Sequence, residues 1–155
     1  MTPADYETLV ADLIRELRSV HPDLASADVR SGSRKRVRGE SGYSHQIDVS
    51  LLTEKTMVII ECKYYDRKIG LEAVLVLVGR LADIRPTVQS HEIIASLVTT
   101  HPPSRNAQKV ADYFGIHLQR VSTPSEYAIG LRDRMNIGVV DSGHVKDETV
   151  EVIRR

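Results

Sequence analysis

Apolar positions recur along this chain with two different periods. From 3 to about 19, Tyr6, Leu9, Val10, Leu13, Ile14 and Leu17 stand at helical spacing, the stripe of an amphipathic α-helix. Thr2 offers a cap and Pro3 a favoured first helical residue. Two runs rich in Ile and Val follow, at 45–50 and 57–64, split by the polar tetrad Thr53-Glu54-Lys55-Thr56. Each run has strand length, and together they predict a β-hairpin. Residues 27–38 read as a basic strand broken at Ser31-Gly32-Ser33, and Gly39-Glu40-Ser41-Gly42 as a flexible link into the hairpin.

The segment 71–84 is apolar all round over Ala73-Val74-Leu75-Val76-Leu77-Val78. Period alone fits a buried strand as well as a buried helix. The length from 70 to 85 and the stop at Pro86 favour a helix, buried on nearly all sides. A strand at 92–99 comes next, then a helix at 104–114 with Ala107, Val110, Ala111 and Phe114 inward. Gly115 serves as its C-cap, and 116–121 is a last strand. Strand, helix, strand, helix, strand implies parallel crossover units added to the hairpin, hence an α/β fold. Residues 125–135 read as a helix and 136–155 as a terminal hairpin. The expected division is 1–121 as core and 122–155 as an extension of the same domain or a dimer contact.

Three charges interrupt the hairpin pattern: Asp48, Glu61 and Lys63. Charged side chains enter a core only when paired, hydrogen-bonded or bound to metal. A turn centred between Glu54 and Lys55 sets Asp48 opposite Glu61 and Gln46 opposite Lys63. Opposed residues share a face with Cβ atoms about 5 Å apart, and residues two apart on a strand share one too. These four side chains then form one polar cluster. Ile47, Val49, Leu51, Val58, Ile60 and Cys62 form the opposite, core face. A three-residue turn would shift the pairing and weaken the cluster.

Composition changes the picture only in part. The chain has 155 residues, 41% apolar and 27% charged, which fits one soluble globular domain. No apolar run approaches the ~18 residues that span a bilayer, and Met1 leads into an acidic helix rather than a signal peptide. The single cysteine, Cys62, excludes an internal disulfide and places the protein in the cytoplasm as a buried, inert thiol. Charge balances at 21 basic and 21 acidic residues, so no global field draws nucleic acid. Locally, Arg30, Arg34, Lys35, Arg36 and Arg38 occur with no acid among them. This run is either a solvated face or a grip on phosphates.

Two carboxylates and a lysine on one sheet face suit a magnesium-dependent hydrolase, because Mg²⁺ takes a few carboxylate oxygens and keeps several waters. Asp48 and Glu61 would be ligands, with the backbone carbonyl of Cys62 a third. The metal would polarise a phosphoryl oxygen and lower the pKa of a water. Lys63 would orient that water or stabilise the transition state. Glu7, at the edge of the first helix's apolar stripe, is either a first-turn acid matched to the helix dipole or a carboxylate at the rim of the site. The competing reading is a cross-strand ion pair on a solvated face, and spacing alone does not choose. The chain has no glycine-rich phosphate loop, and its histidines show no zinc spacing.

Gln46-Ile47-Asp48-Val49 followed by Ile59-Ile60-Glu61-Cys62-Lys63-Tyr64 resembles the PD-(D/E)xK nuclease superfamily. The match is best to its Mrr-like restriction-endonuclease branch, related to archaeal Holliday-junction resolvases. Tyr6-Glu7, Ser104-Arg105-Asn106-Ala107 and Phe114-Gly115-Ile116 extend the resemblance over roughly 3–121. It implies a restriction-endonuclease-like three-layer α/β/α fold with a central mixed sheet, and 71–84 as helix. It implies a metal-dependent endodeoxyribonuclease of restriction or DNA-repair type, using Mg²⁺ or Mn²⁺. Asp48, Glu61 and Lys63 match the motif residues and Glu7 the helix acid. Ile47 stands where the superfamily name has proline. Gln46 would support the ligands from behind, and the 30–38 strand would hold the DNA backbone. Double-strand cutting calls for two sites, so a homodimer is expected. The alternative is a nuclease-fold module that binds DNA or mediates assembly without cutting.

Overall fold

Helix α1 (Pro3–Val20) opens on a reciprocal cap. The Asp5 N–H donates to Thr2 Oγ1 (3.2 Å), and the Thr2 backbone N–H to Asp5 Oδ2 (2.7 Å), so two terminal donors are satisfied at once. The computed structural model describes residues 1–20, 22–32 and 35–121. The helix and hairpin expected within 122–155 lie outside the described residues.

After a 3-10 turn at Pro22–Leu24 come β1 (Asp28–Ser31), β2 (Arg36–Arg38), β3 (Ser44–Gln46), β4 (Val49–Leu52) and β5 (Thr56–Lys63). Helix α2 (Leu71–Ile84), β6 (Glu92–Thr99), α3 (Arg105–Phe114) and β7 (Ile116–Arg120) complete the order. The main sheet runs β1-β4-β5-β6-β7. Its first three strands are antiparallel, whereas β6 and β7 are added parallel. The expected crossover units are therefore present. The Ser104 hydroxyl caps α3, and Gly115 ends it at φ 66°, a left-handed conformation that glycine takes without strain.

Two cores lie on opposite faces of the sheet. Tyr6, Val10, Ile14 and Leu17 of α1 pack on Val49, Leu51, Val58, Ile60 and Cys62. Val74, Leu77, Leu81 and Ile84 of α2, with Ala107 and Ala111 of α3, pack on Met57, Ile59, Ala95 and Leu97. The layers are α/β/α.

Four expectations need correction. The long first strand of the hairpin is really β3 and β4, which belong to different sheets. The chain bends at Ile47-Asp48, so Ile47 packs with α2 rather than with Val49 and Leu51. The basic strand likewise divides, β1 pairing with β4 and β2 with β3. Helix α2 is not enclosed on nearly all sides: Leu75 and Val76 are 48% and 49% exposed. Phe114, expected inward, is an exposed residue, because the left-handed turn at Gly115 begins beside it. No helix among the described residues is long and apolar enough to cross a membrane.

Candidate active site

The hairpin turn has the expected register. Val49 pairs with Ile60 and Leu52 with Met57, so the next pair outward is Asp48 with Glu61. There the ladder stops. The Asp48 carboxylate replaces the missing rung, Oδ2 accepting the Cys62 N–H at 2.8 Å. A buried N–H must find some acceptor, and here a side chain supplies it. Asp48 is thereby fixed at the carboxyl end of β5.

Glu61 is 4% exposed. Its Oε1 accepts from Lys63 Nζ at 2.7 Å, and its Oε2 from Arg80 of α2 at 2.6 Å. Both oxygens thus have charged donors, as a buried carboxylate requires. Arg80 also reaches the Gln46 carbonyl at 3.4 Å. Nothing in the motif points to Arg80. One signal was available: Arg80 lies three residues after Leu77 and four before Ile84, so it interrupts the buried stripe of α2.

Burial pushes the Asp48 carboxyl up to about 6, helped by the Glu61 and Glu7 charges and opposed by the Cys62 N–H and Lys63. Burial alone would depress Lys63, but the hydrogen bond and charge of Glu61 outweigh it and hold the ammonium above its ordinary value. Burial, then the charges of Asp48, Glu7 and Glu61, push the Cys62 thiol well up. It is a core group and no nucleophile.

Other sequence candidates fall into place unevenly. Glu7 is half-buried on α1. It hydrogen-bonds neither acid, yet it acts on Asp48 through its charge. Gln46 does not face Lys63, because β3 has left the main sheet and pairs Gln46 with Arg36. Its carbonyl still contacts the site through Arg80. Lys35 and Gly32 meet the bend by backbone bonds, Ile47 N–H to the Lys35 carbonyl and Gly32 N–H to the Asp48 carbonyl, each 3.4 Å. Arg36 donates to the Ser44 carbonyl. Arg30 is paired with Asp28 at 2.6 Å on β1. Arg38 ends β2 opposite Ser44, two residues along the hairpin from Gln46. Arg34 lies outside the described residues. The basic run is therefore not one continuous strip.

A second polar cluster, which the sequence did not suggest, pins the β2–β3 hairpin to α2. Asp83 Oδ2 receives His45 Nε2 and the Ser41 hydroxyl, each at 2.7 Å, and Oδ1 receives the Ser41 N–H at 2.7 Å. The Ser41 N–H, then His45 and the Ser41 hydroxyl, hold the Asp83 carboxyl down at about 2. A Cβ on Gly39 would overlap this carboxylate, so the close approach requires glycine.

Among the described residues no three His, Cys, Asp or Glu side chains are grouped to hold a metal ion. Mg²⁺ does not need three. One or two carboxylates with retained waters suffice, and Asp48 and Glu61 are two buried carboxylates near the Cys62 backbone. The upward push on Asp48 comes partly from neighbouring carboxylates, crowding that a hard cation would relieve. The donor set fits such an ion.

No family model matches the chain, and no curated protein matches it significantly. Solved structures do. A protein of unknown function, AF1548, is similar at TM-score 0.62 and 18% identity, over 97% of this chain and 76% of that one. A repair endonuclease from Pyrococcus abyssi is similar at TM-score 0.52 and 19% identity, over 74% of this chain and 46% of that one. EndoMS in a complex with double-stranded DNA is similar at TM-score 0.52 and 18% identity, over 78% of this chain and 45% of that one. This chain spans less than half of either endonuclease chain. Likeness at such identity concerns architecture, which agrees with the layers and strand order above. The fold is restriction-endonuclease-like, a five-stranded mixed sheet between helices.

Proposed function

We propose that this chain is a divalent-metal-dependent DNA endonuclease of the Mrr-like PD-(D/E)xK branch, acting as a homodimer. The observation that carries this reading is the meeting of Asp48, Glu61 and Lys63 at the carboxyl end of β5, with Asp48 pushed up by burial and then by the Glu61 charge. Crevices at the carboxyl ends of parallel strands are where open α/β sheets bind ligands. DNA as partner is supported by the fold shared with EndoMS, solved with double-stranded DNA.

Each residue has a distinct task. Asp48, fixed by the Cys62 N–H, presents its carboxylate to the ion. Glu61 is oriented by Lys63 on one oxygen and Arg80 on the other. Lys63 keeps its proton at neutral pH, so it stabilises negative charge on the scissile phosphate rather than removing a proton from water. Glu7 adds negative potential. Mg²⁺ or Mn²⁺, when bound, supplies Lewis-acid polarisation of a phosphoryl oxygen.

The test is incubation of supercoiled, linear and branched DNA with Mg²⁺ or Mn²⁺, with EDTA and Lys63→Ala as controls. The expected result is metal-dependent cutting that Lys63→Ala nearly abolishes without unfolding. Failure of the folded protein to cut any form of DNA sinks the reading. Sedimentation tests the dimer. The double ion pair on Glu61 favours one other reading, a non-cutting DNA-binding module whose acid is already neutralised. Calorimetric titration with Mg²⁺ separates the two, because a dead site takes up no ion.

A further inference from the structure

Beside Lys63 the surface opens into a groove of about 430 Å³ between the 64–70 loop and the first turns of α2. Its volume lies within the ~300–1,000 Å³ of sites that take one small ligand, whereas a duplex lies along a surface. Its walls carry four kinds of chemistry. Arg67 and Lys68 are exposed, and neither forms an ion pair with another described residue. Tyr65 is 40% exposed and lines the groove next to Lys63. Val76, 49% exposed, adds an apolar floor. Glu72 offers an acceptor from the helix side.

The walls are held in place. Thr100 Oγ1 donates to the Tyr65 carbonyl (2.9 Å) and accepts the Tyr65 N–H (3.3 Å). At the loop's other end the Ser104 N–H donates to the Ile69 carbonyl (2.8 Å). The Tyr65 backbone is therefore fixed beside the end of β6, and both ends of the loop are anchored.

We propose that this groove holds a single unpaired nucleotide next to the scissile phosphate. The inference rests on the endonuclease reading and narrows its substrate to DNA with an unpaired base at the site. Tyr65 stacks on the base, and Glu72 accepts from an exocyclic or ring N–H of that base. Arg67 and Lys68 take the flanking phosphates. A fully paired duplex leaves the groove empty and gains none of these contacts.

The test is binding by fluorescence anisotropy in EDTA, where neither metal nor cleavage enters. The probes are a labelled blunt duplex and the same duplex with a three-nucleotide single-stranded overhang. Wild type should bind the overhang duplex about ten-fold tighter, the worth of stacking one base on an aromatic ring. Tyr65→Ala should remove that preference while Tyr65→Phe keeps it. Arg67→Ala with Lys68→Ala should weaken the overhang duplex more than the blunt one. Equal affinity of wild type for both probes overturns the proposal, as does a preference that survives Tyr65→Ala. Binding preference without any metal-dependent cutting would sink the endonuclease reading alone. Cutting without preference would sink the groove alone.

Discussion

Replacing Asp48 by Asn should stabilise the metal-free protein at neutral pH while removing its activity. Asp48 is 8% exposed, and its carboxyl is pushed from 3.8 to about 6. Each pKa unit corresponds to about 1.4 kcal/mol, so ionised Asp48 costs the fold roughly 3 kcal/mol. The sign follows from the direction of the shift. Below pH 3.8 the group is protonated in both folded and unfolded chains, and no cost arises. As pH rises from there to about 6 the unfolded chain ionises first, and stability is lost. Asn stays neutral throughout, and its amide oxygen can still accept the Cys62 N–H. Its two extra donors are a burden of ~1 kcal/mol, but the same at every pH. The informative quantity is therefore the difference between two pH values. Urea unfolding in EDTA at pH 4 and pH 7.5 measures it. The advantage of the variant should grow by about 2–3 kcal/mol across that interval, or about 2–4 °C in Tm per kcal/mol. A wild-type-to-variant difference that stays constant with pH would refute the reasoning.

Other outcomes follow from the same contacts. Mg²⁺ at about 100 times its dissociation constant should raise wild-type stability by ~2.7 kcal/mol, and Asp48→Asn should lose most of that gain in thermal melts. Arg80→Ala leaves Glu61 with Lys63 alone and should destabilise by ~1–2 kcal/mol in urea titrations. That lies below the ~3–5 of a fully buried pair because Arg80 is partly exposed, and Arg80→Lys should recover part of the loss. Gly39→Ala should force Asp83 away from His45 and Ser41, destabilise by about 1–3 kcal/mol, and speed amide exchange at Glu40 and Ser41, whose N–H groups both bond Asp83.

The part of the site that lies within one turn of chain was legible. Thr53-Glu54-Lys55-Thr56 is a short polar break between two apolar runs, and such a break leaves few registers. Asp48 and Glu61 therefore had to approach. What depended on a bend was not legible. Ile47 and Gln46 carry no glycine or proline to announce that the chain leaves the sheet. At the departure the Asp48 carboxylate, not its backbone, bonds Cys62. Arg80 and Asp83 depend on where α2 lands across the sheet, which periodicity cannot state. The apolar run Ala73–Val78 suggested full enclosure, but packing covers only the stripe through Val74 and Leu77. Leu75 and Val76 keep their helix-forming or strand-forming character without being buried.

Helix α2 gives the molecule a further property. Arg80 and Asp83 are one turn apart on it, and residues so spaced share a face. The first grips Glu61, and the second grips the loop of the β2–β3 hairpin. Both contacts are anchored on the same short stretch of helical backbone. A shift of the helical backbone at this turn would therefore alter both the hairpin contact and the Glu61 contact. The hairpin and the buried acid thus share one structural support, a single turn of α2, although they are far apart in sequence.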